Sequence, residues 1–283
     1  MTAALSEPSA LPALRFVDTH CHLDPGYFSD GPWEAMARAA LEGVTGFVVI
    51  GVGRDGLRVA REDLALVQDP RAQGALRMTA GFHPHDAGEA NAQTLAELMQ
   101  MAELAEVSAI GEMGLDYHYD HADRAVQRDV FAAQIAIARA AKKPVVVHSR
   151  DARADTLDVL RSEGAWDVGG ILHCFSEDWE FAVAAMDMGF YISISGIVTF
   201  KNAAAIADVA ARAPADRLLL ETDSPYLSPI PLRGKHCEPA YMMHTARKVA
   251  ALRGVELASL AGSTTQNAER VFRTSFGSFN TTL

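Results

Sequence analysis

Eight short runs of aliphatic and β-branched residues recur along the chain, separated by helix-like segments. They are Leu14–Thr19, Gly46–Gly51, Leu76–Gly81, Val107–Glu112, Pro144–His148, Val168–His173, Phe190–Ile194 and Arg217–Asp223. Continuous apolar runs of this kind suit parallel strands covered on both faces. Eight of them in series, each followed by a helix, close into a (β/α)8 TIM barrel of the α/β class with its helices outside. The clearest helix is Ala122–Ala141, where Val126, Val130, Ala133 and Ile137 share one face. Helices from about Glu238 to Leu252 and Val255 to Arg273 complete the outer ring. The rival architecture, an open doubly wound sheet, lacks its fingerprint, because no GxGxxG follows the first strand.

No repeat, low-complexity tract or linker divides the 283 residues, so the expectation is one domain over 13–273 with loose termini at 1–12 and 274–283. A formal net charge of -11 excludes a non-specific basic wrapper of nucleic acid. The three cysteines, Cys21, Cys174 and Cys237, form neither a secreted disulfide framework nor a CxxC zinc knuckle. No apolar run approaches the ~18 residues of a membrane span. These features imply a cytoplasmic protein, expected to be a monomer with no membrane partner.

A buried parallel strand should end as it begins, in aliphatic residues. Six of the eight instead end in histidine or carboxylate. The first ends in Asp18-Thr19-His20-Cys21-His22, the third runs into His83-Pro84-His85, the fourth reaches Glu112, the fifth His148, the sixth His173, and the eighth supplies Glu221 and Asp223. All lie at C-terminal strand ends, the face on which barrel enzymes carry their sites. Alternation of side chains puts His20 and His22 on one side and Cys21 on the other, so two imidazoles can chelate one ion. The same parity puts Glu221 deeper and Asp223 nearer the mouth, with Asp223 as ligand and Glu221 supporting it from behind. Cys174 should face away. Any one histidine is explained as a hydrogen-bonded core residue. Four histidines and two carboxylates at one rim are not, since burying them without a cation costs several kcal/mol each by order of magnitude.

The ordered motifs are VDTHCHLD (Val17–Asp24), GFHPHDA (Gly81–Ala87), IGEMGLDYH (Ile110–His118), PVVVHSRDA (Pro144–Ala152), LHCFS (Leu172–Ser176), SGIVTFKNA (Ser195–Ala203), LLLETDSPYLSP (Leu218–Pro229) and RGKHCEPAY (Arg233–Tyr241). By this set the chain resembles the TatD family of metal-dependent hydrolases, a branch of the amidohydrolase-like barrels, from Val17 to Phe272. The resemblance implies a centre of two divalent metal ions. His20, His22 and Asp223 would hold the first ion, Glu112 would bridge, and His148 and His173 would hold the second. It further implies that His83 stands near the scissile phosphate. His236-Cys237 stands where the family usually has Arg-Asn, so the resemblance does not carry a substrate contact over to that pair, and it leaves the metal ligands untouched.

Mixed imidazole and carboxylate ligation suits Zn or Mn by softness, whereas the family is often treated as Mg-dependent. A nucleophilic hydroxide between the ions, with Asp223 as ligand and proton acceptor, suits in-line displacement at phosphorus. Arg150, Lys201, Arg233 and Lys235 are the basic substrate-binding candidates, each with the alternative of a solvated surface charge, Arg150 also of a pair with Asp151. Tyr117, His118, Tyr119 and Phe175 are candidates for stacking on a base. Asp18 and Asp24 are further support for the ligands, Asp24 either orienting His22 or opening a turn with Pro25-Gly26. The leading expectation is a deoxyribonuclease that hydrolyses DNA from single-stranded 3′ ends, its 3′ to 5′ direction resting on the resemblance. The alternatives are a metal-dependent hydrolase of a small ester, amide or cyclic substrate, and a non-catalytic metal-binding scaffold.

Overall fold

The computed structural model describes residues 14–53 and 57–279. Eight parallel strands, β1 Phe16–Cys21, β2 Val44–Gly51, β3 Leu76–Ala80, β4 Val107–Asp116, β5 Val145–Arg150, β6 Gly170–Leu172, β7 Phe190–Ile194 and β8 Leu218–Leu220, pair in sequence order. The ends meet where Cys21 bridges Ser224, His22 N–H donates to the Ser224 carbonyl at 2.8 Å and Asp223 N–H to that of His20 at 2.9 Å. The barrel expected from the alternating pattern is therefore the fold. Its helices are α1 Pro32–Leu41, α2 Arg58–Gln68, α3 Ala92–Ala102, α4 Arg124–Ala141, α5 Arg153–Ser162, α6 Trp179–Asp187, α7 Ala204–Arg212, α8 Met242–Arg253 and α9 Leu257–Val271.

Two apolar cores follow from strand alternation. One fills the barrel with Val17, Val48, Ile50, Ala109, Val146, Ile171, Tyr191 and Leu219, and Ala268, Val271, Phe272 and Phe276 join it from beyond the strand N-termini. The other lies between the strands and the helices, around Phe47, Phe131, Phe181 and Phe190. Each such side chain taken out of water contributes about 1.5–3 kcal/mol, so both layers are strongly held. The polar end of the barrel rests on this dry base.

Three expectations need correction. Residues 274–279 are not a loose terminus: Phe276 and Phe279 are buried, Phe279 stacks on Trp33, and Phe279 N–H donates to the Thr45 carbonyl at 2.9 Å. The remaining terminal residues, 1–13 and 280–283, lie outside the described ones. The Val126–Val130–Ala133–Ile137 stripe is only part of the buried face of α4: Val130 and Ile137 are buried, but Ala133 is half-buried and Val126 exposed, and Gln127, Phe131, Gln134 and Ile135 supply the rest. Lastly, β8 stops at Leu220, so Glu221 and Asp223 sit in the segment that follows it rather than in the strand.

The two buried glutamines explain the wider face. Gln134 accepts from Phe82 N–H at 2.7 Å and donates to the Phe82 carbonyl at 3.0 Å. Gln127 does the same for Asp116, at 2.8 and 3.2 Å. Each amide satisfies both backbone groups of a residue where a strand or its exit runs out of neighbours, so burial costs it little. Hydrophobic periodicity cannot register such positions, because they are polar and inward.

Candidate metal centre

The cluster forms where the chain leaves the barrel. His22 lines the cavity and the fully buried His20 points its Nε2 at Glu112 and Asp223 beside it, whereas Cys21 between them packs in the outer core with its thiol on the Val48 carbonyl. A register irregularity between Asp18 and Cys21 turns this part of β1. Asp18 is fully buried behind it, accepting from Thr222 N–H at 3.0 Å, Thr222 Oγ1 at 2.6 Å and His20 N–H at 3.3 Å. It laces β1 to the segment after β8, and burial outweighs these bonds to push its carboxyl up to about 8.

Glu112 stands at the centre. Its Oε2 is 3.4 Å from His20 Nε2, while Oε1 lies 2.8 Å from His173 Nε2, 3.0 Å from His148 Nδ1 and 3.4 Å from His83 Nε2. Burial works to raise its carboxyl, but the surrounding imidazoles of His173, His83 and His20 outweigh burial and hold it well below the usual range. Asp223 Oδ1 is 3.6 Å from His20 Nε2 and 3.8 Å from His22 Nε2. Its backbone takes a left-handed φ of 60°, which turns the carboxylate into the cavity, and burial lifts it to about 6. Burial lowers His22 to about 3, helped by His20.

Donors about 2.1 Å from one shared ion stand about 3–3.5 Å apart, close to the spacings seen here. Three groups among the described residues, His20–His173–Glu221, His20–His22–Asp223 and His83–Glu112–His148, each converge within 4.8 Å, the first two sharing His20. The rings of His20 and His173 stack at 3.7 Å, yet both nitrogens of the buried His20 and Oε2 of Glu221 have no hydrogen-bond partner. Orphaned donor atoms buried at this density fit divalent cations, and leaving them bare carries a desolvation cost.

Sequence reasoning missed Asp116. β4 runs four residues past Glu112 and brings this nearly inaccessible carboxylate into the wall of the cavity. Asp116 Oδ2 takes His85 Nε2 at 2.9 Å and His148 Nε2 at 3.2 Å, and Oδ1 accepts from the backbone N–H groups of His118 and Tyr119. Burial acts to raise Asp116, but the bonds from His148 and His85 overcome it and hold the carboxyl low. Burial works to lower His148, but carboxylates on both ring nitrogens, Asp116 at Nε2 and Glu112 at Nδ1, outweigh it and raise the ring, and a cation seated between Nδ1 and Glu112 would displace the Nδ1 proton while Asp116 keeps the one on Nε2. Only the Asp116 of the IGEMGLDYH segment, four residues after Glu112, hinted at this.

At His83 the backbone sets the proton position, and it is Nε2 that faces Glu112. Its Nδ1 accepts from His85 N–H at 3.1 Å, and burial lowers the ring to about 4. A neutral ring that accepts at Nδ1 carries its proton on Nε2, the atom facing Glu112. His83 is therefore built to donate into the cavity rather than to ligate.

The remaining candidates divide. Glu221 is fully buried, accepts from Cys174 N–H at 2.6 Å and lies 3.3 Å from His173 Nδ1. Cys174 does not face away as expected: with a left-handed φ of 44° it lines the cavity, its thiol 3.4 Å from Ser195 Oγ. Asp24 makes no hydrogen bond to His22 among the described residues, and its carbonyl instead caps a turn at Tyr27 N–H. Arg150 lines the cavity, whereas Lys201, Arg233 and Lys235 are exposed outside its wall. Tyr119 also lines it; Phe175 is buried elsewhere, and Tyr117 bonds Asp155 at 2.6 Å. Neither His236 nor the buried Cys237 is part of the wall. The cavity, of ≈ 720 Å³, also has Tyr27, Phe200 and Tyr226 in its lining.

A barrel with this constellation at its C-terminal rim defines a metal-dependent hydrolase. The family described as TatD related DNase matches residues 17–273, and the chain belongs to it. It is 40% identical over 256 residues to an uncharacterized metal-dependent hydrolase, YabD, of Bacillus subtilis (strain 168), covering 90% of this chain and 98% of that one. It is 35% identical over 261 residues, 90% and 97% of the two chains, to the 3′-5′ ssDNA/RNA exonuclease TatD of Dickeya dadantii (strain 3937). Among solved structures, the TatD homologue YJJV of Escherichia coli k12 superposes with a TM-score of 0.85 at 28% identity, covering 93% of this chain and 99% of that chain.

Proposed function

We propose that the enzyme hydrolyses phosphodiester bonds at single-stranded 3′ ends of DNA with a centre of two divalent cations. The observation that carries this reading is the split engagement of Glu112, one oxygen toward His20 and the other toward His148 and His173. A carboxylate can give one oxygen to each of two ions, which an imidazole cannot. His20, His22 and Asp223 would hold one cation and His148 and His173 the other, with Glu112 between. Zn and Mn suit the imidazoles, and Mg would rely more on the carboxylates. Bound cations supply water activation and charge neutralisation at phosphorus.

The chain's own groups do the rest. Asp223, the carboxylate beside the imidazoles of His20 and His22, would accept the proton of the attacking water. His83 donates from Nε2 to a non-bridging phosphoryl oxygen, where negative charge grows during displacement. A cavity of ≈ 720 Å³ admits a strand end rather than a duplex. The exonuclease name and direction of the Dickeya dadantii relative support polarity from the 3′ end.

The test is cleavage of single-stranded DNA labelled at its 3′ end by chelated protein, metal-reconstituted protein and reconstituted Glu112→Ala. Reconstitution should restore activity, and the variant should fall by about 10³-fold or more, the scale of a lost electrostatic contact in a closed site. Equal rates from all three would reject the mechanism.

A further inference from the structure

Arginines in this molecule are nearly all occupied. Among the described residues, every arginine but two pairs with a carboxylate or donates to an amide, hydroxyl or carbonyl oxygen. The two are Arg150 and Arg233, and both are held in the same way, over an aromatic ring that lines the metal cavity. The Arg150 guanidinium carbon is 4.8 Å from the centre of the Tyr119 ring, and that of Arg233 is 4.3 Å from the centre of Phe200. The expected alternative partner of Arg150 is taken, since Asp151 pairs with His118 at 3.1 Å.

This arrangement has a chemical meaning. An ion pair fixes a guanidinium by using up its N–H groups. A ring fixes it through the face and leaves the in-plane N–H fork unspent. Two preset forks then stand at the mouth of a cavity whose own wall holds Asp86, Glu112, Asp116 and Asp223. In a protein of net charge -11 they are the cations placed to counter repulsion of an entering polyanion. Arg150 ends β5, Phe200 follows β7 and Arg233 follows β8, so the forks sit on opposite sides of β6 and His173.

We infer that Arg150 on Tyr119 and Arg233 on Phe200 are phosphate clamps, each gripping one backbone phosphate of the strand other than the one being cleaved. The inference rests on the nuclease reading and deepens it. It assigns strand affinity to two bidentate contacts on rigid supports. Lys201 and Lys235 lie outside the wall, as Arg233 does, but have no aromatic support among the described residues.

Single-stranded oligonucleotides with one neutral methylphosphonate linkage, at the first or second position on the 5′ side of the scissile bond, test this directly. Wild type, Arg150→Gln, Arg233→Gln and the corresponding lysine variants are compared by kcat/KM at several salt concentrations. Each clamp should match one linkage. Neutralising that linkage should cost the wild type about 10-fold, and should cost the glutamine variant of the matching arginine nothing more. Each glutamine variant should also reduce the slope of log kcat/KM against log salt by about 0.7, the value for one phosphate contact on a single strand. The lysine variants should keep the slope and lose part of the affinity. Losses that simply add, or an unchanged slope, would overturn the clamps while leaving the nuclease reading intact. Failure of metal-loaded wild type to cut the fully charged oligonucleotide would overturn both.

Discussion

Asp116 shows how one residue out of contact with any proposed ion can decide what a ligand offers. By holding the Nε2 proton of His148 it points the other nitrogen at Glu112. Asp116→Asn replaces an ionised acceptor by a neutral amide, and should weaken metal binding about 10–100-fold, the usual effect of losing a ligand's supporting partner. Titration of apo-protein with Zn or Mn by calorimetry reads this without an activity assay. Asp63 tells a different story. It is buried on α2 with Oδ2 unbonded, and burial, with Asp24 and Glu62 nearby, pushes its carboxyl well above the ordinary value. The folded state then keeps a proton that the unfolded chain has released. Its contribution is fully present below the unfolded value near 3.8 and is lost as pH rises toward the raised folded one. Asp63→Asn should therefore raise thermal stability more at pH 8 than at pH 5, and an equal gain at both would contradict the assignment.

At the scale of elements, β4 and α4 carry the site. β4 continues past Glu112 only because glycines allow it close to β5: at Gly114, where φ is 132°, an added Cβ would stand 2.1 Å from the His148 carbonyl oxygen. Gly114→Ala must push β5 and His148 aside or twist the strand. It should destabilise the fold by about 3 kcal/mol or more, the range of backbone strain combined with overpacking, readable as a drop in the urea midpoint. The apolar pattern of α4 predicted a helix in nearly the right place, Arg124–Ala141 against Ala122–Ala141. It found Val130 and Ile137 on the buried face but not Gln127 and Gln134, which are buried by virtue of the backbone groups they bond, and no count of aliphatic residues includes them.

Across the whole molecule, buried histidines and carboxylates gathered at one rim make the fold depend on what binds there. A cation that binds only the folded state stabilises it by mass action, about 2.7 kcal/mol at a hundredfold excess over Kd. Chelation should therefore lower Tm by about 5 °C or more, by the usual conversion for chains of this size, and an unchanged Tm would argue against tight occupancy. Glu112→Ala should abolish most of this response. A clamp at the mouth and a dry core at the other end give the barrel a functional rim set on a stabilising base.

The amino-acid order alone determined the barrel, since eight aliphatic runs alternating with helical segments have few other ways to cover both faces of each strand. It also determined the rim chemistry, since histidine and carboxylate at successive strand ends must converge once the barrel closes. Tertiary structure decided what depends on distances between remote segments. It set the proton position on His83, the pair of carboxylates around His148, the entry of Asp116 and Cys174 into the site, and the aromatic supports of Arg150 and Arg233 that the lysines lack. Those outcomes hang on where strands stop, where φ turns positive and which charges already have partners, and a local pattern of residues carries none of that information.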